Sequence, residues 1–180
     1  MREHIRAEVA AITPLDSIER DTIADVVSWI DSGAPLCRVV KPATPDKHLV
    51  SYFVVIDGDH LLLVDHINAQ KWLPTGGHVE PGEHPRTTVE RESMEELGLT
   101  ADFISVAPVL VTSTVTVGLT AGHTDVSLWY AIAGDRAVHL SIDPEEFHGL
   151  RWFHREALPE NTDPHLGRFV AKFYREQVAD

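Results

Sequence analysis

The chain is almost without cysteine. Cys37 stands alone among 180 residues, so no intrachain disulfide can form and the core must hold the fold. Long apolar runs are missing as well. No stretch approaches the ~20 residues that a membrane-crossing helix needs. The opening residues MREHIRAEVAAI carry charge where a signal peptide has its apolar centre. The expectation is a cytoplasmic protein with no membrane association. Basic residues are scarce: 15 Lys plus Arg face 28 Asp plus Glu, for a formal net charge of -13. A protein tracking a nucleic-acid polymer needs a basic surface to displace counterions, and that class of partner is excluded. A small phosphorylated ligand is not excluded, because a bound divalent cation reverses the local field. Low-complexity tracts and internal repeats are absent.

What is present suits one globular domain, with 43% hydrophobic and 24% charged residues and a length that can bury a sizeable core. Residues 1 to about 33 read as helical. Thr13, Pro14 and Asp16 form a start signal of cap, first-turn proline and acid. Ile23, Val26, Val27 and Ile30 then recur at helical spacing and Gly33 suits the stop. A segment with Pro35, Pro42 and Pro45 separates this extension, 1–45, from a second unit, 46–180. There HLVSYFVVI (48–56), the turn DGD and HLLLVDH (60–66) read as a hairpin. FISVAPVLVTSTVTV and HTDVSLWYAIA, joined by GLTAG, read as further strands. AVHLSI and LRWF are expected as short strands flanking DPEEFHG. Asp163 and Pro164 open a last helix with Leu166, Phe169, Val170, Phe173 and Tyr174 on one face. Helices and largely antiparallel strands at irregular intervals imply an α+β sandwich.

The segment GHVEPGEHPRTTVERESMEELGL (77–99) is the most informative. Pro85 suits a first helical turn and Gly98 a C-terminal cap, giving a helix over about 84–97. On it Glu92, Glu95 and Glu96 stand at i, i+3 and i+4, on one face. Arg91 can reach Glu95, but one arginine does not neutralise three carboxylates. Either the acids form a solvated helix face, or they hold a hard cation with oxygen ligands. A Gly-rich turn at Gly76 and Gly77 would let backbone approach such an ion closely.

The string resembles the Nudix hydrolase (MutT-like) signature G-x5-E-x7-R-E-U-x-E-E-x-G-U, where U is a bulky aliphatic residue. Gly77, Glu83, Arg91, Glu92, Glu95, Glu96, Gly98 and Leu99 occupy its places. Ser93 departs from it at an aliphatic position, and Thr75 stands where a proline often precedes the glycines. The resemblance implies the family's α/β/α sandwich with a mixed sheet over about 46–178, with the N-terminal helices outside it. It implies Mg²⁺ or Mn²⁺ held by Glu92, Glu95, Glu96 and the carbonyl of Gly77. Arg91 and Glu83 would then be the supporting pair that fixes those acids. The implied reaction is hydrolysis of a nucleoside diphosphate linked to another group. The first substrate expected is a nucleoside triphosphate, including an oxidised one, cleaved to monophosphate and pyrophosphate. ADP-ribose or a nucleotide sugar comes second. Glu92 is the first candidate for the general base.

In DPEEFHG, Glu145 and Glu146 are either an additional base or metal ligand, or the acids of a helix N-terminal turn capped by Asp143. Trp72 either stacks on a base or covers the core edge. His78 lies inside the signature loop and is a candidate pocket residue. Strand alternation puts His123, Asp125, Ser127 and Trp129 on one face, polar enough to line a substrate cleft. Tyr52, Phe53, Trp152 and Phe153 are read as core. The N-terminal helices are candidates for a homodimer contact or a lid. A rival of another class is a catalytically silent domain that senses a nucleotide. An isomerase of allylic diphosphates on the same scaffold would need an active-site cysteine, for which Cys37 is badly placed.

Overall fold

A computed structural model describes residues 1–41, 44–116 and 122–177. Two helices open the chain, α1 (Arg2–Ala11) and α2 (Ser17–Asp31). Strands β1 (Lys47–Asp57), β2 (His60–His66), β3 (Lys71–Leu73) and β4 (Thr75–His78) follow. Then come α3 (Pro85–Leu97), β5 (Leu110–Val115), β6 (Thr124–Ala133), β7 (Phe147–His154) and α4 (Leu166–Gln177). The seven strands form one mixed sheet in the order β3-β2-β1-β6-β5, with β4 on β1 and β7 on β2. β1 and β6 run parallel, while the other pairings are antiparallel.

Both faces of the sheet are covered, as its apolar alternation requires. Along β1, Leu49, Phe53 and Val55 turn to one face, where Ile5, Val9, Val26, Ile30, Val89 and Leu97 of the first three helices pack. Val54 and Ile56 turn to the other, against Leu166, Phe169 and Phe173 of α4. The result is the expected α/β/α sandwich. The N-terminal helices share a core with the sheet and are tied across the layers as well. Lys172 on α4 donates to Glu19 on α2 at 2.6 Å, with both side chains 1% exposed. Arg168 holds Asp16 with two hydrogen bonds, at 2.8 and 2.9 Å.

The hairpin and the signature helix form where expected, and four details differ. The second helix is capped by Asp16, which accepts from the Glu19 amide, and not by Thr13. The pair Gly76–Gly77 is a strand rather than a turn, because β4 pairs with Val50–Phe53 of β1. AVHLSI is irregular: only Leu140 and Ile142 reach the core, and Val138 is exposed. FISVAPVLVTSTVTV narrows to β5, while LRWF lengthens into β7. The connection read from GLTAG lies, up to residue 121, outside the described residues. No described helix is long and apolar enough to cross a membrane.

Candidate active site

The sequence starts and stops α3 locally. The His84 side chain accepts from the Arg86 amide, Pro85 occupies the first turn, and Gly98 ends the helix in the left-handed region at φ 63°. The Ser51 hydroxyl of β1 donates to the Pro85 carbonyl at 2.8 Å and fixes the helix start on the sheet. Ser93, the departure from the aliphatic pattern, is buried and donates to the Glu90 carbonyl, so the hydroxyl is satisfied within the helix.

Arg91 is the hub of the site. Its guanidinium grips Glu83 at 3.1 and 3.2 Å, reaches Glu92 at 2.6 Å and Glu95 at 3.3 Å, and donates to the His78 carbonyl at 3.3 Å. Glu83 also accepts from the Thr88 hydroxyl and the Glu80 amide. Burial works against the Glu83 charge, and these donors, Arg91 first, still hold its carboxyl below the ordinary range. The same bonds to Glu83 raise the arginine further, so it remains a fixed cation. The loop is thus locked to the helix by a planar fork that only arginine supplies.

The acids beyond this pair crowd toward β4. Glu96 accepts from the Gly76 amide at 3.1 Å. A Cβ at Gly77 would stand 1.8 Å from Glu92 Oε1, so only glycine lets the strand lie against that carboxylate. Burial, with the charges of Glu92, Glu146 and Glu95, pushes the Glu96 carboxyl up to about 9. Burial also raises Glu92, against the pull of Arg91. Glu146 therefore stands within electrostatic reach of both signature acids. Glu145, whose amide is capped by Asp143, is exposed, and the turn leads into β7 rather than into a helix. Glu95 is exposed, with 60% of its side chain accessible. Such a donor set suits a hard divalent cation: oxygen ligands, excess negative charge, and backbone held close by a glycine that nothing larger can replace.

The crowding has a sign in metal-free protein. A carboxyl raised from 4.5 to about 9 in the folded state contributes stability that is full below pH 4.5 and lost as pH rises toward 9. Chelator-treated protein is expected to melt at progressively lower temperature from pH 5 to pH 9, and Mg²⁺ to restore the loss. Thermal melts of wild type and Glu96→Gln check this, since the variant should lose most of the dependence.

The other expected residues fall in two places. Trp72 sits on β3 with its ring 5.2 Å from that of Phe153, covering the edge of the α4-side core. His78, His123 and Asp125 come together, joined by His48. By strand alternation His48 shares its face of β1 with Val54 and Ile56, opposite to α3. Sequence reasoning missed His48, because only the parallel register of β1 and β6 sets it beside Asp125.

The chain matches the NUDIX domain over residues 47–173. Solved structures share the architecture. The MutT NUDIX hydrolase from Burkholderia pseudomallei is 20% identical, covering 70% of this chain and 97% of that chain with a TM-score of 0.56. The MutT protein from Methanosarcina mazei Go1 is also 20% identical, covering 77% and 99% at a TM-score of 0.57. A UDP-X diphosphatase, 14% identical, covers 98% of this chain and 93% of its own at 0.57. No curated protein matches the sequence.

Proposed function

Since the chain belongs to the NUDIX family, whose members hydrolyse phosphoanhydride bonds in small nucleotide substrates with the help of divalent metals, we propose that it is a Mg²⁺-dependent pyrophosphohydrolase. Its favoured substrate is a nucleoside triphosphate, oxidised forms included, released as monophosphate and pyrophosphate. One observation carries this reading. The Arg91 fork locks the Glu83 loop to α3 while Glu92 and Glu96 converge on Gly76–Gly77.

Glu92, Glu95, Glu96 and the Gly77 carbonyl are the residues that would hold the metal. A bound Mg²⁺ or Mn²⁺ neutralises charge on the phosphoryl oxygens and lowers the pKa of an attacking water. The Glu92 carboxylate would accept the proton from that water as its oxygen bonds to one phosphorus of the cleaved anhydride, and the bridging oxygen would leave with the other product, pyrophosphate or monophosphate. Glu146 is the alternative proton acceptor, being close enough to influence Glu92 and Glu96. Arg91 touches no reacting atom in this scheme and acts by positioning Glu92 and Glu83.

ADP-ribose or a nucleotide sugar is the second reading. It draws on the full-length likeness, N-terminal helices included, to the UDP-X diphosphatase. The test is a panel of normal and oxidised nucleoside triphosphates, ADP-ribose and nucleotide sugars with Mg²⁺, scored by nucleoside monophosphate formed. Turnover of triphosphates above the diphosphate-linked sugars supports the first reading. Tight binding of a nucleotide with no turnover of any panel member would overturn hydrolysis in favour of a sensor.

A further inference from the structure

We infer that His48, His78, His123 and Asp125 form a second metal site, chemically distinct from the signature acids, that takes a borderline transition-metal ion of the Zn²⁺ class.

The site is assembled by three strands. Parallel pairing sets His48 of β1 directly opposite Asp125 of β6. His123 immediately precedes β6, and β4 brings His78 in beside Val50. One donor atom from each residue lies within 4.8 Å of every other. Asp125 Oδ1 is 3.3 Å from Nε2 of His48, 3.3 Å from Nε2 of His123 and 4.0 Å from Nε2 of His78. Donors bound at about 2.0–2.2 Å around a tetrahedral ion stand roughly 3.3–3.5 Å apart, so the spacing already approaches that of a coordination shell.

The outer hydrogen bonds orient the rings for ligation. His48 Nδ1 lies 2.7 Å from the Pro45 carbonyl, which can only accept, so Nδ1 carries a proton and Nε2 is turned toward Asp125. His123 Nδ1 lies 3.0 Å from the Thr116 hydroxyl, which also reaches the His123 carbonyl, so the ring is held with Nε2 toward Asp125. In metal-binding histidines the second ring nitrogen is commonly held by a carbonyl or another polar group in this way.

Without a cation the arrangement is in conflict. His48 is fully buried and His123 is 4% exposed. His48 Nε2 and Asp125 Oδ1 are both buried with no hydrogen-bond partner. Unpartnered polar atoms at this depth are costly, and an ion between them removes the cost. The set of three imidazoles and one carboxylate selects against Mg²⁺, which prefers an all-oxygen shell, and for Zn²⁺ or its neighbours. Arg38 donates to His78 Nε2 at 3.0 Å. His48, His123 and Asp125 are therefore the primary ligands, and His78 joins when the guanidinium swings away. Because β4 carries both His78 and Gly77, an ion here would also fix the strand that backs the signature acids.

Co²⁺ titration of the chelator-treated full chain tests this, since tetrahedral Co²⁺ absorbs strongly in the visible and octahedral Co²⁺ does not. The expected result is a tetrahedral spectrum saturating at one equivalent, displaced by Zn²⁺ and retained in Glu92→Gln. His123→Gln and Asp125→Asn should weaken the Co²⁺ affinity at least ten-fold, and His78→Ala, at a side chain 29% exposed, by less. Absence of a tetrahedral spectrum would overturn the proposal, as would one lost in Glu92→Gln but unchanged in His78→Ala and Asp125→Asn. Because the readout is the bound ion, this outcome is independent of whether the chain hydrolyses nucleotides.

Discussion

Replacing Glu92 by glutamine is expected to lower the rate of phosphoanhydride hydrolysis by about 10³-fold, within the usual range for losing a positioned acid or base, with the fold intact. Glutamine keeps the size of the side chain and one oxygen that can accept from Arg91, now 2.6 Å from the Glu92 carboxylate. It removes the negative charge and the proton-accepting capacity. The contact with Gly77 makes shape matter as well, since there is no room for even a methyl group beside Oε1. Measuring kcat at saturating Mg²⁺ together with the melting temperature separates the chemistry from folding. Equal rates in variant and wild type would remove Glu92 from the reaction and point to Glu146.

The second large effect concerns stability. Lys172→Met strips the buried Glu19 carboxylate of the ammonium that donates to it at 2.6 Å, while the Leu15 amide still donates to it. Breaking one half of a buried pair costs about 3–5 kcal/mol, and for a chain of this size that lowers the melting point by roughly 10 °C. Glu19→Gln combined with Lys172→Met removes the stranded charge and keeps an acceptor for Leu15, so the double variant should recover most of the loss. Thermal unfolding of the single and double variants decides it. A single variant that melts with wild type would mean that the Glu19–Lys172 pair adds nothing to how the N-terminal helices are held.

The parts of this molecule that depend on neighbours in sequence were readable in advance. Pro85 and Gly98 bound α3, and the β-formers of HLVSYFVVI marked β1. The signature acids were readable for the same reason, being spaced along one helix. Whatever depended on distant pairing was not. Gly76–Gly77 looked like a turn because nothing local reveals that β1 offers it an edge to pair with. His48 read as the first residue of a strand until β6 was laid parallel to it. Glu19 and Lys172 lie on helices about 150 residues apart in sequence, a separation over which no periodicity carries information. AVHLSI failed for another reason: its β-formers meet a segment in which only Leu140 and Ile142 find apolar surroundings, and context outweighed propensity.

In the proposed reaction Glu92 and Glu96, converging on Gly76–Gly77, hold the cation that hydrolysis needs. That role is tested most directly by the initial hydrolysis rate of the best substrate against Mg²⁺ concentration, in wild type and Glu96→Gln. The variant is expected to need at least ten-fold more Mg²⁺ to reach half of its maximal rate. Superimposable Mg²⁺ dependences, or hydrolysis that survives complete chelation, would contradict it.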